Sequence, residues 1–378
     1  MAKTCLATSP EEIDWESATS YLLLNPRRPQ TISMDLKAFP ELPGHIWLQS
    51  SGSLSGQKIK LAALSKEALL ISAHHVCDFV QIEKGQNYLL SLPFFHVGGL
   101  AVWARSFVRG FNVERFFCEK WDPRAFIQEL EEKQIHWTSL VPTQLYDLCL
   151  LSKEAPSSLR GVFVGGGALS KVLFQKACDL KWPLLPTYGL TEGASQVAVL
   201  RTLQNFPWGE VLPHWQVQIR EQEIFLKGPS LLTGFMEVSE EQCRYFPRNQ
   251  EWWATGDIGE LQGRQLKVKG RRKNLFKVGG EFVSEDDLNQ ILQNLLVERK
   301  RPLLARVIVT SSERLGYQVD LVLHSSLVSE KSWILSEWTK RTMPYEKIRH
   351  IYEIKSWPET SLRKVKSEDL KALLGIKG

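Results

Sequence analysis

Apolar residues in the first two thirds of the chain fall into short runs that alternate with longer stretches at helical spacing. Ile46-Trp47-Leu48 reads as a strand running into a Ser/Gly-rich loop, and residues 61–80 read as a helix. Residues 88–92 predict a strand closed by Pro93, 126–133 an amphipathic helix, and 137–141 a strand ahead of Pro142. Gly161–Val164 is a strand ending in three glycines, 169–180 a helix, and 184–188 leads into the next loop. Strands that alternate with helices pair in parallel, because a parallel neighbour can be reached only by a crossover. Ligands of such sheets sit beyond the C-terminal strand ends, which is where the loops rich in Gly, Ser and Thr fall.

From Val217 onward the pattern changes to shorter strands, at 224–226, 260–261 and 265–268, which predict a mainly β subdomain. A final α+β unit starts near 272, with helices over 284–298 and Lys331–Arg341 and strands over 305–310 and 317–323. The expected fold class is α/β. A large N-terminal α/β domain (1–270) with parallel sheets and a small β subdomain is joined by a hinge (271–273) to a small mobile α+β C-terminal domain (274–378).

A chain of 378 residues can bury two cores. The N-terminus lacks the apolar core of a signal peptide, and no apolar run approaches the roughly 18 residues that span a bilayer. The six cysteines are scattered with no CxxC pair, which favours reduced thiols in a cytoplasm over a disulfide framework or a zinc site. Residues 264–378 carry 23 Lys and Arg against 14 Asp and Glu, a net of +9, so the rest of the chain holds −4 of the total +5. A basic C-terminal part attracts polyphosphate or is simply a solvated surface. No dense basic helix with interleaved aromatics points to nucleic acid.

An ordered set of polar fragments, with Gly270-Arg271-Arg272-Lys273 among them, describes together a site for a nucleotide, a metal and a carboxylate. The loop Ser50-Ser51-Gly52-Ser53-Leu54-Ser55-Gly56 offers N–H groups and hydroxyls that can cradle phosphates, although it fails the Walker pattern. Gly165-Gly166-Gly167-Ala168 ends a strand and opens a helix, so it serves either as a tight connection or as a close approach for a flat ring or a phosphate. Tyr188-Gly189-Leu190-Thr191-Glu192 pairs an aromatic face with a hydroxyl and a carboxylate, the oxygen ligand a hard cation needs. Thr255-Gly256-Asp257 reads alone as a turn, and Lys364 alone as a solvated charge on a basic tail. His96 follows Phe94-Phe95, where a packed histidine is the plainer reading.

The ordered set resembles the adenylate-forming superfamily of acyl-CoA ligases, luciferases and peptide-synthetase adenylation domains, over nearly the whole chain from about 45 to about 372. The resemblance implies that Ser50, Ser51, Gly52 and Ser53 contact the ATP phosphates with Lys58 or Lys60, the expected proline being absent from this loop. It implies that Gly166, Gly167 and Ala168 line the adenine, with Tyr188 and Gly189 against the base. Thr191 would bind the α-phosphate and Glu192 would ligate Mg²⁺. Asp257 and Arg271 would take the ribose, and Lys273 would be the pivot of the C-terminal domain. Gly279 and Gly280 would line the pantetheine channel of coenzyme A. Lys364 would be the catalytic lysine, with Arg363 where the superfamily has glycine. His96, Arg105, Gly193 and Ser195 would lie at the acyl group.

Leu92-Pro93-Phe94-Phe95-His96-Val97-Gly98-Gly99-Leu100, Trp103-Ala104-Arg105-Ser106 and Thr138-Ser139-Leu140-Val141-Pro142-Thr143 look most like the o-succinylbenzoate–CoA ligases of menaquinone biosynthesis. What the resemblance implies is activation of a small-molecule carboxylate with ATP and Mg²⁺, then transfer to coenzyme A, in a cytoplasmic enzyme without nucleic-acid partners. Other readings stay open: an aryl or fatty acyl-CoA ligase, an adenylation domain serving a carrier protein, or a nucleotide- and acyl-binding protein with impaired catalysis. Only 49 residues precede Ser50, fewer than the superfamily's usual N-terminal part. The expectation is a large domain trimmed on one side, with an acyl pocket that is more open or is completed by a second subunit of a homo-oligomer.

Overall fold

The computed structural model describes residues 4–25, 36–49, 58–118, 120–239, 242–278, 281–312, 315–358 and 365–376. Two large sheets sandwich a pair of helices. In the six-stranded sheet Thr4–Ala7, Ser20–Leu23 and His45–Gln49 run parallel, followed by Lys58–Ser65, Gly234–Ser239 and Cys243–Pro247 in antiparallel pairing. The eleven-stranded sheet holds the parallel block Asn112–Arg115, Asn87–Leu90, Trp137–Leu140, Gly161–Val164 and Leu184–Leu190. Helices Val97–Arg109, Pro123–Glu132, Pro142–Leu150 and Lys171–Asp179 supply its crossovers, as the alternation predicts. The block continues antiparallel through Ser195–Val199, Trp208–Val211, Gln265–Arg271, Trp253–Gln262, Glu223–Lys227 and Gln216–Arg220.

Burial explains the layering. Helix Lys66–Val80 and helix Val97–Arg109 are apolar on two sides. Leu69, Ala73, Leu100 and Ala104 face the six-stranded sheet, while Val76, Cys77 and Val102 face the eleven-stranded one. The other three crossover helices cover the opposite face of the parallel block with Phe126, Leu130, Leu145, Leu173 and Phe174. Each such leucine, valine or phenylalanine side chain removed from water contributes about 1.5–3 kcal/mol.

Three expectations from the pattern are corrected. Residues 61–65 are not the first turns of a helix; they belong to strand Lys58–Ser65, and the helix starts at Lys66 with Ser65 as its N-cap, accepting from the Ala68 N–H at 3.0 Å. The run Leu61-Ala62-Ala63-Leu64 is apolar without a polar face because the strand lies between two others and is covered on both sides. The strands between Gln216 and Arg271 do not form a sheet of their own but extend the two large sheets. Thr255-Gly256-Asp257 is not a turn; it lies inside strand Trp253–Gln262, with Gly256 at φ +73°.

The C-terminal unit has its own core. Strands Leu275–Val278, Glu281–Ser284, Ala305–Ser312, Gly316–His324 and Ile348–Ile354 form one sheet. Helices Glu285–Glu298 and Lys331–Arg341 cover it through Leu288, Leu292, Leu295, Ile334 and Trp338. Among the described residues no helix is long and apolar enough to cross a membrane. All six cysteines are free.

Candidate functional site

Three elements end together at the C-terminal edge of the parallel block. Strand Gly161–Val164 passes into Gly165 to Leu169, where Gly166, Gly167 and Ala168 are exposed and Ser170 caps the next helix through the Leu173 N–H at 3.0 Å. Pro142, the first residue of the neighbouring crossover helix, lies against Gly167, and beside it the buried Thr143 hydroxyl has no hydrogen-bond partner among the described residues. Strand Leu184–Leu190 carries Tyr188 and Gly189 up to the same edge.

The segment expected as a loop from Tyr188 is a tight hairpin. Leu184–Leu190 pairs antiparallel with Ser195–Val199 around a single turn of 3-10 helix, Thr191–Gly193. A Cβ at Gly189 would lie 2.1 Å from the Ser195 carbonyl oxygen, so only glycine permits this approach. The turn is closed by Ala194 at φ +49° and Ser195 at φ +104°, left-handed positions that cost non-glycine residues of order 1–3 kcal/mol each. Its geometry is held from below. The Leu232 N–H donates to the Glu192 carbonyl at 2.8 Å, and the Trp215 indole donates to the Gln196 carbonyl at 3.1 Å. Gly193 and Ser195 are buried, while Thr191 and Glu192 are half-buried. Neither the Thr191 hydroxyl nor the Glu192 carboxylate bonds another side chain among the described residues, so both stand available to a ligand.

Asp257 lies at the same edge. It is 5% exposed, and its two oxygens are divided between two partners. The Tyr188 hydroxyl donates to Oδ2 at 2.8 Å and Arg271 Nε approaches Oδ1 at 3.1 Å. Thr255 fixes the strand, its hydroxyl donating to the Ile224 carbonyl at 2.8 Å and accepting the Asp257 N–H at 3.1 Å. Burial pushes the Asp257 carboxyl above the usual range, while Arg271 and the Tyr188 hydrogen bond pull it back. Burial and the Asp257 charge push the Tyr188 phenol well up, so it stays a donor. Tyr188, Asp257 and Arg271, expected as separate nucleotide contacts, therefore form one bonded unit.

Two of the residues expected at the acyl group lie in or beside helix Val97–Arg109. His96 is half-buried and precedes helix Val97–Arg109, its ring centroid 4.9 Å from that of Phe95. Arg105 is 1% exposed within that helix. Its Nε donates to the Ala101 carbonyl at 3.0 Å, and its guanidinium lies 4.9 Å from the Phe163 ring centre and 5.6 Å from that of Tyr88. Among the described residues no carboxylate pairs with it, and Nη1 has no partner. Phe163 belongs to strand Gly161–Val164, so this cation packs on the strand that leads to the glycine turn.

Lys60 lies in strand Lys58–Ser65 with its ammonium 3.7 Å from the Phe235 ring centre. Lys273 falls in the short 3-10 turn Arg272–Asn274. Ser50, Ser51, Gly52, Ser53, Gly279, Gly280 and Lys364 lie outside the described residues, as do the side chains of Lys58 and Lys273. Among the described residues no group of three or more His, Cys, Asp or Glu converges as a metal site. A Mg²⁺ would thus take Glu192 as its protein carboxylate and complete its shell with phosphate and water oxygens, in keeping with that ion's habit.

Three side chains went unnoticed in the sequence. Asp286 holds the 271–274 turn, and Glu223 accepts the Gly256 N–H at 2.9 Å while pairing with Arg272 at 3.1 Å. His214 stacks on His75 at 4.7 Å beside Trp215, whose ring lies against Gly193, and neither of the His214 ring nitrogens has a partner among the described residues. Burial, then the neighbouring His75 and Arg264, push the His214 imidazole down to about 3. In the unfolded chain it titrates near 6.5. Its contribution to stability is therefore complete above pH 6.5 and is lost progressively as pH falls toward 3, reaching up to about 2 kcal/mol at pH 5. Urea unfolding at pH 7.5 and 5.0 checks this. The acid-induced loss should be smaller by about 1 kcal/mol or more in His214→Phe than in the parent chain, and equal losses would contradict it.

The AMP-binding enzyme family matches residues 58–235. The 2-succinylbenzoate–CoA ligase of Escherichia coli K12 is 29% identical over 283 residues, 74% of this chain and 58% of that enzyme. The chain thus spans less than two thirds of that relative's length. A solved structure of a single-residue variant of E. coli MenE with bound OSB-AMS superposes with a TM-score of 0.67 at 25% identity, covering 87% of this chain and 68% of the other. Bacillus subtilis MenE in complex with the acyl-adenylate OSB-AMP superposes with a TM-score of 0.74 at 19% identity, covering 93% and 78%, which shows the shared fold. Residues 58–235 thus match the AMP-binding enzyme family, and the chain shares the fold of these solved relatives.

Proposed function

We propose that the chain is an AMP-forming acid–thiol ligase whose acid is o-succinylbenzoate. The observation that carries this is the presence of two differently charged sites on adjacent strands of one sheet. The Tyr188–Asp257–Arg271 unit and the open Thr191 and Glu192 groups stand at the end of strand Leu184–Leu190, and Arg105, with no carboxylate partner among the described residues, packs on Phe163 of the neighbouring strand. The first group suits a nucleoside phosphate. The second suits an anionic end of the acid remote from the reacting carboxylate, as the succinyl group of o-succinylbenzoate would provide.

In the first step a carboxylate oxygen attacks the α-phosphorus of ATP. A carboxyl–phosphorus bond forms, the bond to the bridging oxygen breaks, and pyrophosphate leaves with that electron pair. Little proton transfer is needed, so catalysis is positioning and charge neutralisation. Asp257 and Arg271 hold the ribose, Tyr188 and the exposed Gly166, Gly167 and Ala168 bound the base, and Thr191 donates to the α-phosphate. Mg²⁺ on Glu192 would offset phosphate charge, and Lys364 would add a second cation. In the second step the coenzyme A sulfur attacks the acyl carbonyl, its thiol proton passes to solvent, and AMP leaves. Gly279 and Gly280 would flank the pantetheine arm. The division at 271–273 between a large domain and a C-terminal lid belongs to the same proposal, as does a cytoplasmic location.

Carboxylate-dependent ATP–pyrophosphate exchange tests the reading, with o-succinylbenzoate beside simple benzoates and fatty acids. Exchange that depends on o-succinylbenzoate is expected. Exchange with only another acid would keep the adenylation chemistry and discard the substrate. ATP binding without exchange for any acid would discard the ligase.

A further inference from the structure

We propose that the opposite edge of the parallel block holds a second ligand site, for an aromatic carboxylate. A cavity of about 390 Å³ opens there between the end of helix Lys66–Val80 and the first residues of three strands. Trp137 begins strand Trp137–Leu140, Arg160 precedes Gly161–Val164, and Leu185 is the second residue of Leu184–Leu190. The glycine turn and the Thr191–Gly193 turn follow the other ends of the last two strands. Neither Arg105 nor any member of the Tyr188–Asp257–Arg271 unit lines the cavity. Its volume is that of pockets which enclose small molecules, about 300–1,000 Å³. The inference does not depend on the ligase reading.

The wall of the cavity is aromatic and fixed. The Trp137 indole is 3% exposed, and its Nε1 donates to Gln86 Oε1 at 2.6 Å. Its ring lies against Gly161, where a Cβ would come within 2.2 Å of it, so only glycine leaves it this position. Phe163 stacks on the same indole with ring centroids 6.0 Å apart. Phe79 and Leu185 are partly buried and pack on the same core. Such a wall favours a flat apolar body over a hydrated ion.

The rim carries two cations. Arg201 Nη2 donates to the Phe79 carbonyl at 2.8 Å, and its guanidinium lies 3.9 Å from the Phe79 ring centre. A carbonyl and a ring hold this group in place without neutralising it, and the Glu210 carboxylate stands 4.0 Å away. Arg160 meets Glu83 Oε2 at 3.4 Å, an oxygen that also accepts from Gln86 Nε2 at 3.1 Å. Asp78, the carboxylate on the wall, pairs with Arg109 and lies 3.2 Å from His74 Nδ1, so its charge is already matched. The two arginines therefore keep N–H groups and positive charge for a ligand. A forked guanidinium fits a carboxylate, and the aromatic wall beside it fits the ring that bears one.

Photolabelling of the full chain reads the site directly. The probe is para-benzoylbenzoate, a photoreactive aromatic carboxylate, and labelled peptides are located by mass spectrometry. Label should fall on peptides that hold residues 78–81, 137, 160, 185 or 201. Naphthoate should suppress it, and the uncharged naphthamide and inorganic phosphate should each be at least about tenfold less effective, the scale of a lost hydrogen bond to a charged group. The double variant Arg160→Gln, Arg201→Gln should lower this labelling about tenfold or more. Its unfolding temperature should stay within about 2 °C of the parent chain, because both side chains are at least half exposed. Arg201→Lys, which keeps the charge without the fork, should fall between. Label that is absent, or confined to peptides around 188–195 and 255–257, would overturn the site. So would labelling that the arginine variants leave unchanged, or equal suppression by the amide or by phosphate. The label reports binding alone, so a chain without pyrophosphate exchange would sink the ligase reading and leave these outcomes as decisive as before.

Discussion

Asp257→Asn is expected to lower kcat/KM for ATP by about 10²–10³ in pyrophosphate exchange while leaving the fold intact. The carboxylate now accepts from Tyr188 and faces Arg271, and in the proposed complex it takes the ribose hydroxyls. Hydrogen bonds to a charged group contribute about 1.5–3 kcal/mol each, and each 1.4 kcal/mol is tenfold in binding. An amide removes the charge and presents an NH₂ group where an acceptor stood, so one donor is left facing another. Stability should change by less than about 1 kcal/mol, because Arg271 is 46% exposed and is solvated when its partner is lost. The loss should appear mainly in KM for ATP and little in KM for the acid. A KM for ATP within about threefold of the parent value, in a folded variant, would remove Asp257 from the nucleotide site.

Thr255-Gly256-Asp257 singled out Asp257 through the resemblance, but the setting of that carboxylate was not legible. The tripeptide has turn composition, and a strand long enough to hold it, Trp253–Gln262, arises only because Glu223–Lys227 and Gln265–Arg271 pair on either side. Long-range pairing overrode local propensity. The same cause moved residues 61–65 from helix to strand. An apolar run covered on both faces has no period to read, and its identity depends on partners almost two hundred residues away at Gly234–Ser239. The parallel block was readable because three of its crossover helices have a cap or a proline at their start, at Asp122-Pro123, Pro142 and Ser170. Asp286 and His214 could not have been found. One is an ordinary first-turn acid on a helix, and the other is a lone histidine whose meaning lies in the His75 ring stacked on it.

Arg105→Met should leave the folded protein as stable as the parent chain or more so, and should raise KM for o-succinylbenzoate by about 10²-fold or more. A cation buried without a counter-charge bears a desolvation penalty of several kcal/mol. Two aromatic faces return about 2 kcal/mol of that. The buried Cys77 thiol and Tyr88 phenol nearby are held neutral by burial, so neither supplies a negative charge. Methionine fills a similar volume without that penalty, and the Ala101 carbonyl it uncovers is already in a helix. The cation is thus unfavourable for folding and favourable only once an anion enters. A carboxylate that reaches it from the acyl pocket would form a shielded ion pair, whose loss costs about 2–5 kcal/mol. A benzoate with no second carboxylate never forms that pair, so its exchange rate should change by less than about threefold. The two acids therefore separate the possibilities. An equal loss for both, or a marked fall in unfolding temperature, would make Arg105 a packing residue of the helix and remove the strongest support for a dicarboxylic substrate.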